Sequence, residues 1–196
     1  MSKQNGILYK QFSLWIIANI LGFGALGALL LVIPSIMSIS GFVPSTLIIT
    51  LPIALAQWLA LRRILQTSIL WVLTTPIGLL LAISIIRVIP AGLWQVVDDE
   101  SIAALTPVGL WIGFAIGLPQ WLILRRQLSK SSIWLLGSSI GVAAGFWTII
   151  VTDLVNRSGI IAYIVGALVY SIVTGLVLSG LLAYQNRSQV NLVAAT

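Results

Sequence analysis

From Gln11 to Leu61 the chain carries no Asp, Glu, Lys or Arg. A water-facing surface cannot be built from such a stretch, since soluble domains use about 25% charged residues. It is long enough for two bilayer-crossing helices of about 20 residues each. The rest of the 196-residue chain continues the pattern, with 59% hydrophobic and 7% charged residues. In hydrocarbon, a backbone has no water to bond, so each apolar run must be a helix that satisfies itself. The expected fold class is therefore all-α integral membrane, in one membrane domain covering residues 1–196.

Charge gaps and proline punctuation divide the chain into six expected spans. They are residues 13–33, ending at Pro34; 45–61, following Pro44; 68–86; 106–124; 132–151; and 159–184. Thr106-Pro107 reads as an N-cap followed by proline at the first helical position. The first run is about 20 residues, longer than the 7–15 of a signal-peptide core, so it is read as a retained span.

The net charge of +6 is a topology signal rather than a nucleic-acid signal, because the basic residues sit in small groups between apolar runs. With both ends on the cytoplasmic side, the inner face holds Lys3, Lys10, Arg62, Arg63, Arg125, Arg126, Lys130 and Arg187. The outer face holds Arg87, Arg157 and all four acids: Asp98, Asp99, Glu100 and Asp153. That asymmetry in short loops predicts both termini inside. Trp15, Trp58, Trp71, Trp121 and Trp134 fall near the inner ends of spans, and Trp94, Trp111 and Trp147 near the outer ends. They read as two interfacial aromatic belts.

An internal repeat carries the most organisation. Residues 57–78, QWLALRRILQTSILWVLTTPIG, align without gaps on residues 120–141, QWLILRRQLSKSSIWLLGSSIG, with 12 of 22 positions identical. A third copy shows as the spacing Trp-x6-Gly at Trp15/Gly22, Trp71/Gly78 and Trp134/Gly141. The expected arrangement is three like-oriented helical hairpins, about 13–61, 68–124 and 132–184, with both termini inside. Small residues recur four apart, including Gly109, Gly113 and Gly117, then Gly137, Gly141 and Gly145, with Gly78 and Gly175 in matching series. Such ladders keep one helix face bare so that a neighbouring backbone can approach closely.

Few residues offer chemistry. Gln57 and Gln120 occupy equivalent depths inside the arginine pairs. A glutamine in hydrocarbon needs a hydrogen-bond partner, across its hairpin or at a carbonyl freed by Pro52 or Pro119. They are candidates for interhelical glue, or for a polar ring lining a pathway. Arg62, Arg63, Arg125 and Arg126 set topology and are candidate contacts for anionic lipid headgroups at the inner face. Asp98-Asp99-Glu100 reads as a solvated acidic loop with at most weak affinity for Ca²⁺ or Mg²⁺. Histidine and cysteine are absent, and neither HExxH, G-x-S-x-G nor a phosphate loop occurs. No catalytic residue, metal or cofactor is expected, and the chain does not read as an enzyme.

The W-x6-G and QWLxLRR hairpins resemble those of bacterial multi-pass membrane proteins of unassigned activity. The resemblance implies a bacterial inner-membrane location and transfers no activity. Three two-helix repeats are also similar in plan to the mitochondrial carriers, but the proline–acid–basic motif and central charge networks of that family are missing. Two functions are consistent with the residues. One is a non-catalytic scaffold, assembly factor or accessory subunit, with the lipid bilayer and a membrane-protein partner or second copy as its contacts, and no nucleic acid. The other is a transporter or channel for a small solute, with its pathway where the repeats meet.

Overall fold

A computed structural model describes residues 3–32, 42–65, 67–88, 102–156 and 159–194 of the chain. They form six α-helices: α1 (Lys3–Val32), α2 (Phe42–Leu65), α3 (Trp71–Val88), α4 (Ile102–Leu124), α5 (Ile133–Asn156) and α6 (Gly159–Ala194). Among the described residues there is no strand. Five of the helices are long and apolar enough to cross a membrane; the apolar stretch of α3, Trp71–Ile86, is shorter.

Helix ends depart from the sequence expectation where backbone bonding outruns composition. α1 begins at Lys3, ten residues before the apolar run, and α6 continues past Tyr184 to Ala194. Polar residues at a span's end extend a helix readily, because they lose nothing by leaving the bilayer. α4 begins at Ile102, so Thr106-Pro107 lies within it rather than capping it. Pro107 is the sixth residue of the helix, so it lies past the free N–H groups of the first turn and removes one i→i−4 bond. Pro34, Trp94, the acids at 98–100 and Arg157 lie outside the described residues, as do the side chains of Arg87 and Asp153.

Each helix packs against its neighbours in the chain, and α1 packs against α6. Among the described residues no other pair of helices brings its backbones close together, so the six close into a ring. Neighbours run antiparallel, as matched contacts at both ends of a seam require. Gly137 lies against Val177 while Gly145 lies against Gly166. Phe12 meets Gly175 while Gly27 meets Tyr163.

Bare helix faces set the seam spacing. A Cβ on Gly78 would fall 2.7 Å from the Ala115 carbonyl oxygen and onto the Ile116 backbone. One on Gly113 would fall 2.5 Å from the Ser138 carbonyl oxygen. Gly109 and Gly117 meet Ala143 and Ser138, and Gly141 and Gly145 meet α6 at Tyr170 and Gly166. The small-residue ladders are thus spent inside the ring. The outward faces carry large apolar side chains, among them Leu21, Ile77, Leu136, Ile140 and Leu176. A perimeter of this kind is stable against acyl chains, not against water.

A buried apolar cluster lies at the end of the ring that carries the arginine pairs. There Trp15, Leu61, Trp71, Leu124, Leu128, Trp134, Leu178 and Leu181 form one buried cluster. The 125–132 linker is tied to α6: Ser129 Oγ donates to Gln185 Oε1 at 2.8 Å, and the Lys130 ammonium sits 4.3 Å from the Tyr184 ring centre.

Candidate functional site

The axis of the ring is organised around tryptophan. Trp15, Trp71 and Trp134 are each fully buried, at 0% exposure, although they belong to α1, α3 and α5, whose backbones do not approach one another. Their rings meet edge to face, Trp15 on Trp134 with centroids 5.8 Å apart and Trp71 on Trp134 at 6.2 Å. This corrects the interfacial-belt expectation for these three. Their face of the helix points to the axis, where indoles fill the space that a six-helix ring leaves between non-adjacent members. Trp58 and Trp121 are half-buried beneath Arg62 and Arg125, at 4.9 Å and 5.3 Å. At the other end Trp111 and Trp147 donate across seams, to the Ala82 carbonyl at 3.2 Å and to Thr106 Oγ1 at 3.0 Å.

The two glutamines sit beside this triad, at 1% and 0% exposure. Gln120 is bonded at both ends of its amide. Its Oε1 accepts from Trp134 Nε1 at 2.9 Å, and its Nε2 donates to Thr75 Oγ1 at 3.4 Å. Gln57 Nε2 donates to Asn19 Oδ1 at 2.9 Å and, more weakly, to the Tyr170 hydroxyl at 3.4 Å. Its Oε1 is buried without a partner, and so is Trp71 Nε1. Both glutamines therefore bond to side chains on other helices, not to carbonyls freed by Pro52 or Pro119.

Asn19, Thr174 and Tyr170 complete the network and were not singled out by sequence. Asn19 Nδ2 donates to the Trp15 carbonyl at 2.9 Å. Trp15 Nε1 donates to Thr174 Oγ1 at 3.0 Å, and Thr174 in turn donates to the Tyr170 carbonyl at 2.8 Å. Asn19 carries a signal of the same kind as the glutamines, an amide inside an apolar run. Thr174 carries a weaker one, since threonine hydroxyls often bond their own helix backbone, as this one does.

Beyond the triad, away from the arginine end, the axis opens into a cavity of about 270 Å³ lined by residues of all six helices. Its wall is mainly Ile, Leu and Phe; the polar members are Thr50, Gln57, Thr75, Tyr163 and Tyr170. Gln120 is not among them, so the two glutamines do not form one polar ring.

At the arginine end, Lys10 and Arg63 share a groove between α1 and α2 with Ile7, Leu14, Ile17 and Ile64. Arg62, Arg125 and Arg126 are exposed. Among the described residues no group of His, Cys, Asp or Glu side chains is placed to hold a metal. No known protein family, curated protein or solved structure matches the chain.

Proposed function

We propose that the chain is a six-span membrane protein of three like-oriented hairpins, with both termini cytoplasmic, in a bacterial inner membrane. It acts there without catalysis, as a scaffold, assembly factor or accessory subunit. The observation that carries this reading is the aromatic plug: Trp15, Trp71 and Trp134 close the axis at one end with no exposed surface. A continuous route along the axis would have to displace all three. Orientation rests on the distribution of the ten basic residues, eight of which fall on one side. The groove shared by Lys10 and Arg63 supports contact with anionic lipid headgroups, with the flanking isoleucines against acyl chains.

The test is purification of the full chain in a mild detergent after crosslinking in the native membrane. A stoichiometric membrane-protein partner, or a discrete homo-oligomer, is the expected result; a lone monomer in every preparation overturns it. The central cavity favours a second reading, a small-solute transporter caught closed at the arginine end. Solute flux into liposomes that is lost in Gln57→Leu would establish it in place of the first.

A further inference from the structure

We infer that the groove between α1 and α2 binds one lipid whose headgroup is a terminal phosphate, a phosphomonoester; this rests on, and sharpens, the anionic-lipid contact proposed for that groove. Ile7, Lys10, Leu14 and Ile17 line it from α1, and their spacing of three and four puts them on one helix face. Arg63 lines it from α2. Depth follows from the seam, where Gly22 meets the backbone at Ile53. At about 1.5 Å per residue, Lys10 lies about 18 Å and Arg63 about 15 Å from that contact, toward the same end. The two cations are therefore near one level, with Leu14 and Ile17 one and two turns deeper.

This pair differs from the other cations at that end. Arg62 lies over Trp58, Arg125 over Trp121 and Lys130 over Tyr184, whereas no ring or carboxylate lines the groove of Lys10 and Arg63. The chain's own acids fall elsewhere, three between α3 and α4 and Asp153 near the end of α5. Two cations sharing a groove repel unless an anion lies between them. A phosphodiester brings a single negative charge, which leaves one of the pair uncompensated. A phosphomonoester brings about −1.5 to −2 at pH 7 and three acceptor oxygens, which the N–H groups of lysine and arginine can share. Gln11 and Ser13 add neutral donors on the same wall. The groove, of about 740 Å³, continues onto Leu14 and Ile17 at a depth where acyl chains lie, so its phosphate belongs to a lipid.

The experiment is native mass spectrometry of the full chain in detergent micelles. It is titrated with dioleoyl phosphatidic acid or dioleoyl phosphatidylglycerol, a monoester and a diester with the same acyl chains. One saturable adduct is expected, roughly fivefold tighter for the monoester, the effect of one more compensated basic residue. Lys10→Gln with Arg63→Gln should erase that preference and weaken monoester binding roughly thirtyfold. Arg62→Gln with Arg125→Gln removes the same charge from the same end and should leave both the preference and the affinity nearly unchanged. Glycerol 3-phosphate, the headgroup without chains, should not displace the lipid; displacement overturns a lipid as the occupant. Equal affinity for the two lipids, with both lost in the Lys10→Gln/Arg63→Gln chain, overturns the monoester site and leaves a general anionic-lipid contact. Equal losses in the two double variants overturn the site and that contact together. Should a variant fail to fold, the monoester preference and single adduct of the unaltered chain decide the matter alone.

Discussion

The α4–α5 seam and the α2–α3 seam carry the same residues at the same spacing and use them differently. Gln120 and Trp134 are bonded at 2.9 Å, whereas the matching atoms of Gln57 and Trp71 are both buried without partners. Packing runs the other way. Gly78, on α3, is pressed onto the α4 backbone, while the nearest atom to a Cβ on Gly141, on α5, would be a Thr174 methyl at 3.0 Å. The repeat around Trp134 is satisfied in its polar groups and meets α6 at Gly141 through side chains, whereas the repeat around Trp71 presses on the α4 backbone at Gly78 and leaves two polar atoms open. The matching Gln and Trp positions are buried in both segments, and their neighbours decide what they do there. Asn19 is the deciding neighbour for Gln57, since it claims the amide nitrogen.

The largest test of this contrast is Trp134→Ala. It removes the indole on which both others pack and strands Gln120 Oε1, so unfolding in detergent should show a loss of about 3–5 kcal/mol. Trp71→Ala should cost less, because no indole hydrogen bond is lost with it. Gly78→Ala should destabilise by about 1–3 kcal/mol through overpacking against backbone, with Gly141→Ala well below that. An equal response at the two glycines would erase the packing half of the contrast. Trp134→Phe should cost about 1–2 kcal/mol for the broken bond, within the range seen for buried and membrane hydrogen bonds. Trp71→Phe, which deletes an unbonded donor, should leave the unfolding midpoint nearly unchanged. Smallest is Lys130→Gly. Lys130 holds a φ of 57°, a strain that glycine relieves, but the substitution also loses the contact with Tyr184. A shift within about 0.5 kcal/mol is expected, because exposed sites rarely do more.

Much of the architecture is readable from residues alone, because its signals are local. Hydropathy and the cost of unbonded backbone in lipid dictate helices, and an amide in an apolar run announces a need for partners. Gln57 and Gln120 were legible for that reason. Their partners were not, since Asn19, Thr75, Trp134 and Tyr170 arrive from helices whose facing is decided by the closed ring. The tryptophans illustrate the same limit. An indole near a span's end suits the bilayer interface, and only the direction of its helix face sends Trp15, Trp71 and Trp134 to the axis instead. The cavity had no signature in sequence, being a product of six faces that never share a local stretch.

Closure of the ring by α1 against α6 has a bearing on how the protein is made. The Trp15–Thr174 bond joins residues separated by 159 positions, so the first helix must wait for the last before its indole is satisfied. Until α6 is in place, the other five helices leave the cavity without the wall that Tyr163 and Tyr170 supply. The cavity therefore comes into being in a single late event, when the final helix enters.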